Sequence, residues 1–156
     1  MSKPILCLDF DGVCHSYTSG WINAWTIPDP PVAGLFPFLE QALVTFRVAI
    51  YSSRSEFEKG RAAMADWFMA CAIEYYAYTH TSDLEDGSPR DNAKALLERL
   101  EFPVSKPSAF VTLDDRAVTF KGNWPSIEDL HGFKPWNDHL KKPRVSDVAA
   151  STYGRE

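Results

Sequence analysis

The stretch Ile5-Leu6-Cys7-Leu8-Asp9-Phe10-Asp11-Gly12-Val13 decides how this chain is read. An apolar run breaks into two aspartates and then a glycine. The run has the character of a strand, one that can be buried on both faces. A strand that stops on Asp-x-Asp-Gly presents carboxylates at the carboxyl edge of a sheet, where open α/β sheets bind ligands. Gly12 lets the chain turn away sharply. Carboxylates placed in this way can bind Mg²⁺, and one can attack an electrophile while the other moves protons. Taken alone, the pattern reads equally well as a strand end followed by an acidic turn.

Other strand ends repeat the theme. Phe46-Arg47-Val48-Ala49-Ile50-Tyr51 is apolar and β-rich and runs into Ser52-Ser53-Arg54-Ser55. Ala109-Phe110-Val111-Thr112-Leu113 runs into Asp114-Asp115-Arg116, with Lys106-Pro107 just before it. The order is strand-DxDG, strand-Ser, Lys, strand-DD. Over roughly residues 4–124 this resembles the haloacid dehalogenase (HAD) superfamily of phosphohydrolases, whose motifs occur in that order.

The rest of the chain is organised around these runs. Residues 13–32 read as a loop, since Pro28, Pro30 and Pro31 forbid long regular structure. A helix is expected from about Ala33 or Gly34, with Leu35, Phe36, Phe38, Leu39, Leu43 and Phe46 on its apolar face. Ser55-x-x-Glu58 is a capping-box pattern that opens a second helix to about Cys71; Ser53-x-x-Glu56 also fits one. Ile73–Tyr78 reads as a third strand. Ser88-Pro89-x-Asp91 starts another helix, with Leu96, Leu97 and Leu100 on its buried face. Ala117–Phe120 is a candidate fifth strand. From about Lys141 the chain is polar, so residues 1–140 are expected to form the domain and 141–156 a mobile tail.

Alternating strands and helices imply an α/β fold with a mostly parallel sheet and helices on both faces. The resemblance implies a three-layer, Rossmann-like sheet in the order 5-4-1-2-3. Neither interval that hosts a cap domain in this superfamily has room for a full one, so the chain resembles the small capless members. The aromatic loop at 13–32, with Trp21 and Trp25, is either a partial lid or a loop pinned by its own aromatics.

Composition narrows the setting. The chain has 156 residues, 45% of them hydrophobic, which is enough for one domain with a core. A net charge of −5 argues against a generic nucleic-acid coat. The three cysteines, Cys7, Cys14 and Cys71, lack regular spacing and suggest reduced thiols in a cytoplasmic protein. Nothing reads as a signal peptide or a membrane span, and neither a membrane nor an obligate protein partner is expected.

The resemblance also implies roles. Asp9 is the nucleophile, forming an aspartyl-phosphate and binding Mg²⁺ through its other oxygen. Asp11 is the general acid and base, and its backbone carbonyl touches the metal. Asp115 is the third metal ligand, with Asp114 as its rival or accomplice. Ser52, or its neighbour Ser53, hydrogen-bonds a phosphoryl oxygen, and Lys106 neutralises charge. Arg54 and Arg116 either contact phosphate or pair with the acidic cluster. His15 reads as a solvated loop residue. The expected activity is Mg²⁺-dependent hydrolysis of a phosphomonoester, on a small molecule, a nucleotide or a polynucleotide end. The presence of Asp11 favours hydrolysis over dehalogenation. Alternatives are a non-catalytic HAD-like binding module and phosphotransfer to an acceptor other than water.

Overall fold

The computed structural model describes residues 2–79 and 87–142. Four strands form one all-parallel sheet: β1 (Ile5–Leu8), β2 (Arg47–Ile50), β3 (Leu100–Glu101) and β4 (Val111–Leu113), in the order β3-β2-β1-β4. Helices α1 (Leu35–Thr45), α2 (Glu58–Thr79) and α3 (Pro89–Leu97) connect them, and a short α4 (Ile127–His131) follows β4. The parallel α/β class read from the sequence is borne out.

The first strand is central because it can be covered on both sides: Leu6, Cys7 and Leu8 are all buried. Side chains alternate across a strand. Leu6 and Leu8 therefore share a face with their register neighbours Val48 and Ile50. Those four belong to the same core cluster as Leu39 and Leu43 of α1, Met64 and Phe68 of α2, and Leu96 of α3. All three longer helices thus pack on one face. The opposite face carries the small residues Cys7 and Ala49, and the second helical layer expected there is not seen among the described residues.

Three expected elements need correction. Ile73–Tyr78 is not a strand but the last turns of α2. The tyrosines have β propensity, yet Met64, Phe68, Ala72 and Tyr76 make a buried stripe at helical spacing. Tyr75 stacks on Phe36, and its hydroxyl, like that of Tyr76, donates to Glu40. The third strand is instead Leu100–Glu101, at the end of the segment expected to be helical. Ala117–Phe120 is not a strand either. Asp114 Oδ1 accepts from the Arg116 backbone N–H at 2.8 Å and turns the chain directly after β4, which remains the sheet edge.

Helix starts follow local chemistry. Ser88 and Asp91 form the expected capping box around Pro89. The capping box near α2 belongs to Ser52 and Ser55, around a 3₁₀ turn over Ser53–Glu56, rather than to Ser55 with Glu58 or Ser53 with Glu56. Gly60 lies in α2 where a Cβ would collide with the Arg54 carbonyl, so glycine allows α2 to sit against that turn. No helix among the described residues is long and apolar enough to cross a membrane. Of the expected tail, residues 143–156 lie outside the described residues. Lys142 still donates its N–H to Thr18 O.

Candidate functional site

The sheet's carboxyl edge gathers the acidic residues. Asp9 N–H donates to Leu113 O at 2.9 Å and Tyr51 N–H to Leu8 O at 3.0 Å, so the ladders continue past the strands. Asp9 therefore lies between the end of β2, where Ser52 follows, and the end of β4, where Asp114 follows. Asp9, Asp114 and Asp115 each offer a carboxylate oxygen within 4.8 Å of the other two.

This cluster is electrostatically incomplete. No ion pair joins any of the three carboxylates to a cation among the described residues. Both Asp115 oxygens are buried without a hydrogen-bond partner, and an unpartnered buried polar atom costs free energy. Gly12, at φ 90°, faces Asp115, and a Cβ there would collide with Asp115 Oδ2. Burial pushes the Asp9 carboxyl up to about 7; the Phe10 N–H opposes the shift, and Asp114, Asp115 and Asp11 add to it. Asp115 is also pushed up by burial, against the pull of Arg116. Oxygen-only donors with an unmet need for positive charge fit a hard divalent cation such as Mg²⁺.

Asp11, two residues beyond Asp9, is held quite differently. Arg54 clamps it with Nε on Oδ2 at 2.9 Å and Nη2 on Oδ1 at 3.0 Å. His15 Nδ1 lies 2.9 Å from Oδ1. Arg54 is fully buried; its Nη1 donates to Asn23 O and Thr26 O, and Trp21 covers the guanidinium at 4.7 Å. The Asp11 side chain lies outside the three-carboxylate cluster. Of the two options read for Arg54, the structure shows the pairing with an acidic residue.

The remaining expected residues spread out. Ser52 is buried, and its Oγ accepts from the Arg54 backbone N–H at 3.0 Å; its hydroxyl proton has no partner in that contact. Ser53 is exposed. Lys106 is exposed and makes no ion pair with Asp9, Asp114 or Asp115. Arg116 lies 6.0 Å over the Tyr17 ring. Cys14 is buried, its Sγ donating to Asp9 O at 3.4 Å, and burial pushes its thiol far up, which makes it a poor nucleophile.

Two features escaped the sequence reading. His15 is not a solvated loop histidine: it is fully buried, between Phe10, Tyr17 and Trp67. Its spacing of four from Asp11 was the available signal. The second feature is the segment at Trp136 and Asn137, which donates side-chain N–H bonds to Gly12 O at 2.8 Å and Ser16 O at 3.0 Å. The 13–32 loop makes both polar and aromatic contacts. Asp29 accepts from Ser19, and its carbonyl accepts from Trp67 Nε1.

Trp21, Trp25 and Trp124 are all exposed. A cavity of about 650 Å³ is lined by Phe120, Trp124, Ile127 and Leu130 among others, and none of the acidic residues lines it. Comparison with known proteins found no matching family model, no matching curated protein and no matching solved structure.

Proposed function

We propose that this chain is a Mg²⁺-dependent phosphohydrolase of HAD type, acting on a phosphomonoester. The observation that carries the reading is the trio Asp9, Asp114 and Asp115 at adjacent strand ends, with the Asp115 oxygens buried and unpartnered. Asp9, Asp115 and Asp114 would hold the ion, together with the Asp11 backbone carbonyl. The bound cation supplies charge neutralisation between the carboxylates and the anionic phosphate.

The chain's own residues do the rest. Asp9 attacks phosphorus, forming an aspartyl-phosphate as the ester P–O bond breaks. Asp11 gives the departing oxygen a proton. It then takes one from the water that attacks phosphorus, and the Asp9 carboxylate and inorganic phosphate are released. Asp11 Oδ2 accepts one hydrogen bond and Oδ1 two, so Oδ2 is the oxygen with a lone pair left for this work. The Ser52 hydroxyl donates to a phosphoryl oxygen, and the exposed Lys106 swings in to add positive charge. Arg54 serves Asp11 rather than the phosphate. The substrate class includes nucleotides and polynucleotide ends. A HAD-like arrangement of the sheet and a cytoplasmic setting belong to the same reading.

The test is a panel of phosphomonoesters, including aryl phosphates, nucleotides and 3′-phosphorylated oligonucleotides, assayed with Mg²⁺ and with EDTA. Phosphate release that needs the metal and is lost in Asp9→Asn is expected. No release from any of them by folded, Mg²⁺-supplied protein, or equal release in EDTA, contradicts the proposal.

A further inference from the structure

The fully buried His15 contacts Asp11 through one ring nitrogen and Asp29 of the 13–32 loop through the other. Asp29 donates its backbone N–H to Nε2 at 3.1 Å. A ring nitrogen that accepts carries no proton, so in the neutral imidazole the proton is on Nδ1, which donates to Asp11 Oδ1 at 2.9 Å. The Asp29 carboxylate does not compete. Its oxygens accept from the Ser19 N–H and hydroxyl at 2.8 and 2.6 Å, and its Oδ2 stays 3.6 Å from Nε2. The Phe10 ring, stacked at 5.5 Å, and the Trp67 edge at 5.7 Å hold the imidazole plane.

We infer that His15 is a positioning residue for Asp11, holding the carboxylate by Oδ1 through its Nδ1–H so that Oδ2 faces the proton transfers. The inference rests on the proposed phosphohydrolase reading. Arg54 alone cannot define this state. Its fork grips both oxygens, so it fixes the carboxylate plane without distinguishing them. His15 contacts only Oδ1 and removes that equivalence. The loop is then a cradle for Asp11: the Asp29 N–H sets the tautomer, and Asn23 and Thr26 hold Arg54 through their carbonyls.

Two measurements test the inference. The first needs no turnover: long-range ¹H–¹⁵N spectra of the wild-type protein at one pH should show His15 with Nδ1 protonated and Nε2 bare. A bare Nδ1 overturns the inference, whatever the enzyme does. The second compares His15→Asn, which keeps an N–H donor near the Nδ1 position, with His15→Ala. Both are checked for folding by circular dichroism.

In single-turnover phosphorylation of Asp9, His15→Ala should lose roughly ten- to a hundredfold in rate on an alkyl phosphate but only a few-fold on an aryl phosphate, whose leaving group needs less protonation. KM should change little, and His15→Asn should recover most of the rate. Equal losses on both substrates, or a change in KM alone, would reduce His15 to a structural role. If neither variant folds, the spectrum decides. A wild-type protein without phosphatase activity would remove the parent reading while leaving the tautomer result standing.

Discussion

Asp11 and Asp115 are both carboxylates at the sheet's carboxyl edge, yet their surroundings are opposite. Asp11 receives N–H donors from Arg54 and His15. The two carboxylate oxygens of Asp115 are buried without one, beside Asp9 and Asp114. A protein does not ordinarily bury carboxylates unpaired, because desolvation costs far more than an open surface position. The first pocket supplies its positive charge from the chain. The second receives none through an ion pair among the described residues. On the proposed reading, this difference separates a proton-handling group from a metal-binding cluster, although only Phe10 lies between Asp9 and Asp11.

The comparison can be broken most severely at Asp9. Asp9→Asn is nearly isosteric and should fold, but turnover should fall by at least about a thousandfold if this group is the nucleophile. A folded variant with a near-normal rate would move the nucleophile elsewhere. On the Asp11 side, Arg54→Met strands a carboxylate whose side chain is 12% exposed. Chemical denaturation should show a loss of about 3–5 kcal/mol, as for other buried pairs with one partner removed. A loss below about 1 kcal/mol would mean that Asp11 finds water or another donor instead.

Asp115→Asn sharpens the contrast, because the same kind of change has the opposite sign. Removing an unpaired buried charge should stabilise the metal-free protein by about 1–2 kcal/mol, while calorimetric Mg²⁺ binding is lost. Destabilisation in EDTA would show that Asp115 has a partner after all.

A further effect is in pH. Asp9 rises from its ordinary 3.8 to about 7 in the fold, so the folded state holds a proton that the unfolded state has released. Stability in EDTA should therefore fall as pH rises from about 4 to about 7 and level off above. Saturating Mg²⁺ should raise Tm and flatten that slope, since the bound ion keeps its ligands ionised. A metal-free Tm that climbs steadily across this range would contradict the shift.

Much of this layout was legible in the sequence. The runs ending at Asp9, Ser52 and Asp114 each join an apolar strand to polar residues at its carboxyl end, and such signals are local. The parallel α/β class followed from them. The Tyr-rich segment at 73–78 was misread because strand propensity and helical spacing conflict there, and the burial of Tyr76 in line with Met64 and Phe68 settled it as helix. The two-residue β3 is too short to leave a periodic signature. The burial of His15 depends on Trp67, far along the chain, and its bond to Asp11 is an i,i+4 contact made by a loop rather than a helix. The turn at Asp114–Arg116 removed the expected fifth strand through a single side-chain bond.

The most direct measurement is to trap the covalent intermediate. Protein mixed with Mg²⁺ and an aryl phosphate is quenched in acid during turnover, digested and mapped by mass spectrometry. The account predicts one phosphoryl group on the peptide carrying Asp9, absent in EDTA and absent in Asp9→Asn. Sustained Mg²⁺-dependent phosphate release with the label on another residue, or with no label while the chemical step is shown to be faster than release, would contradict it.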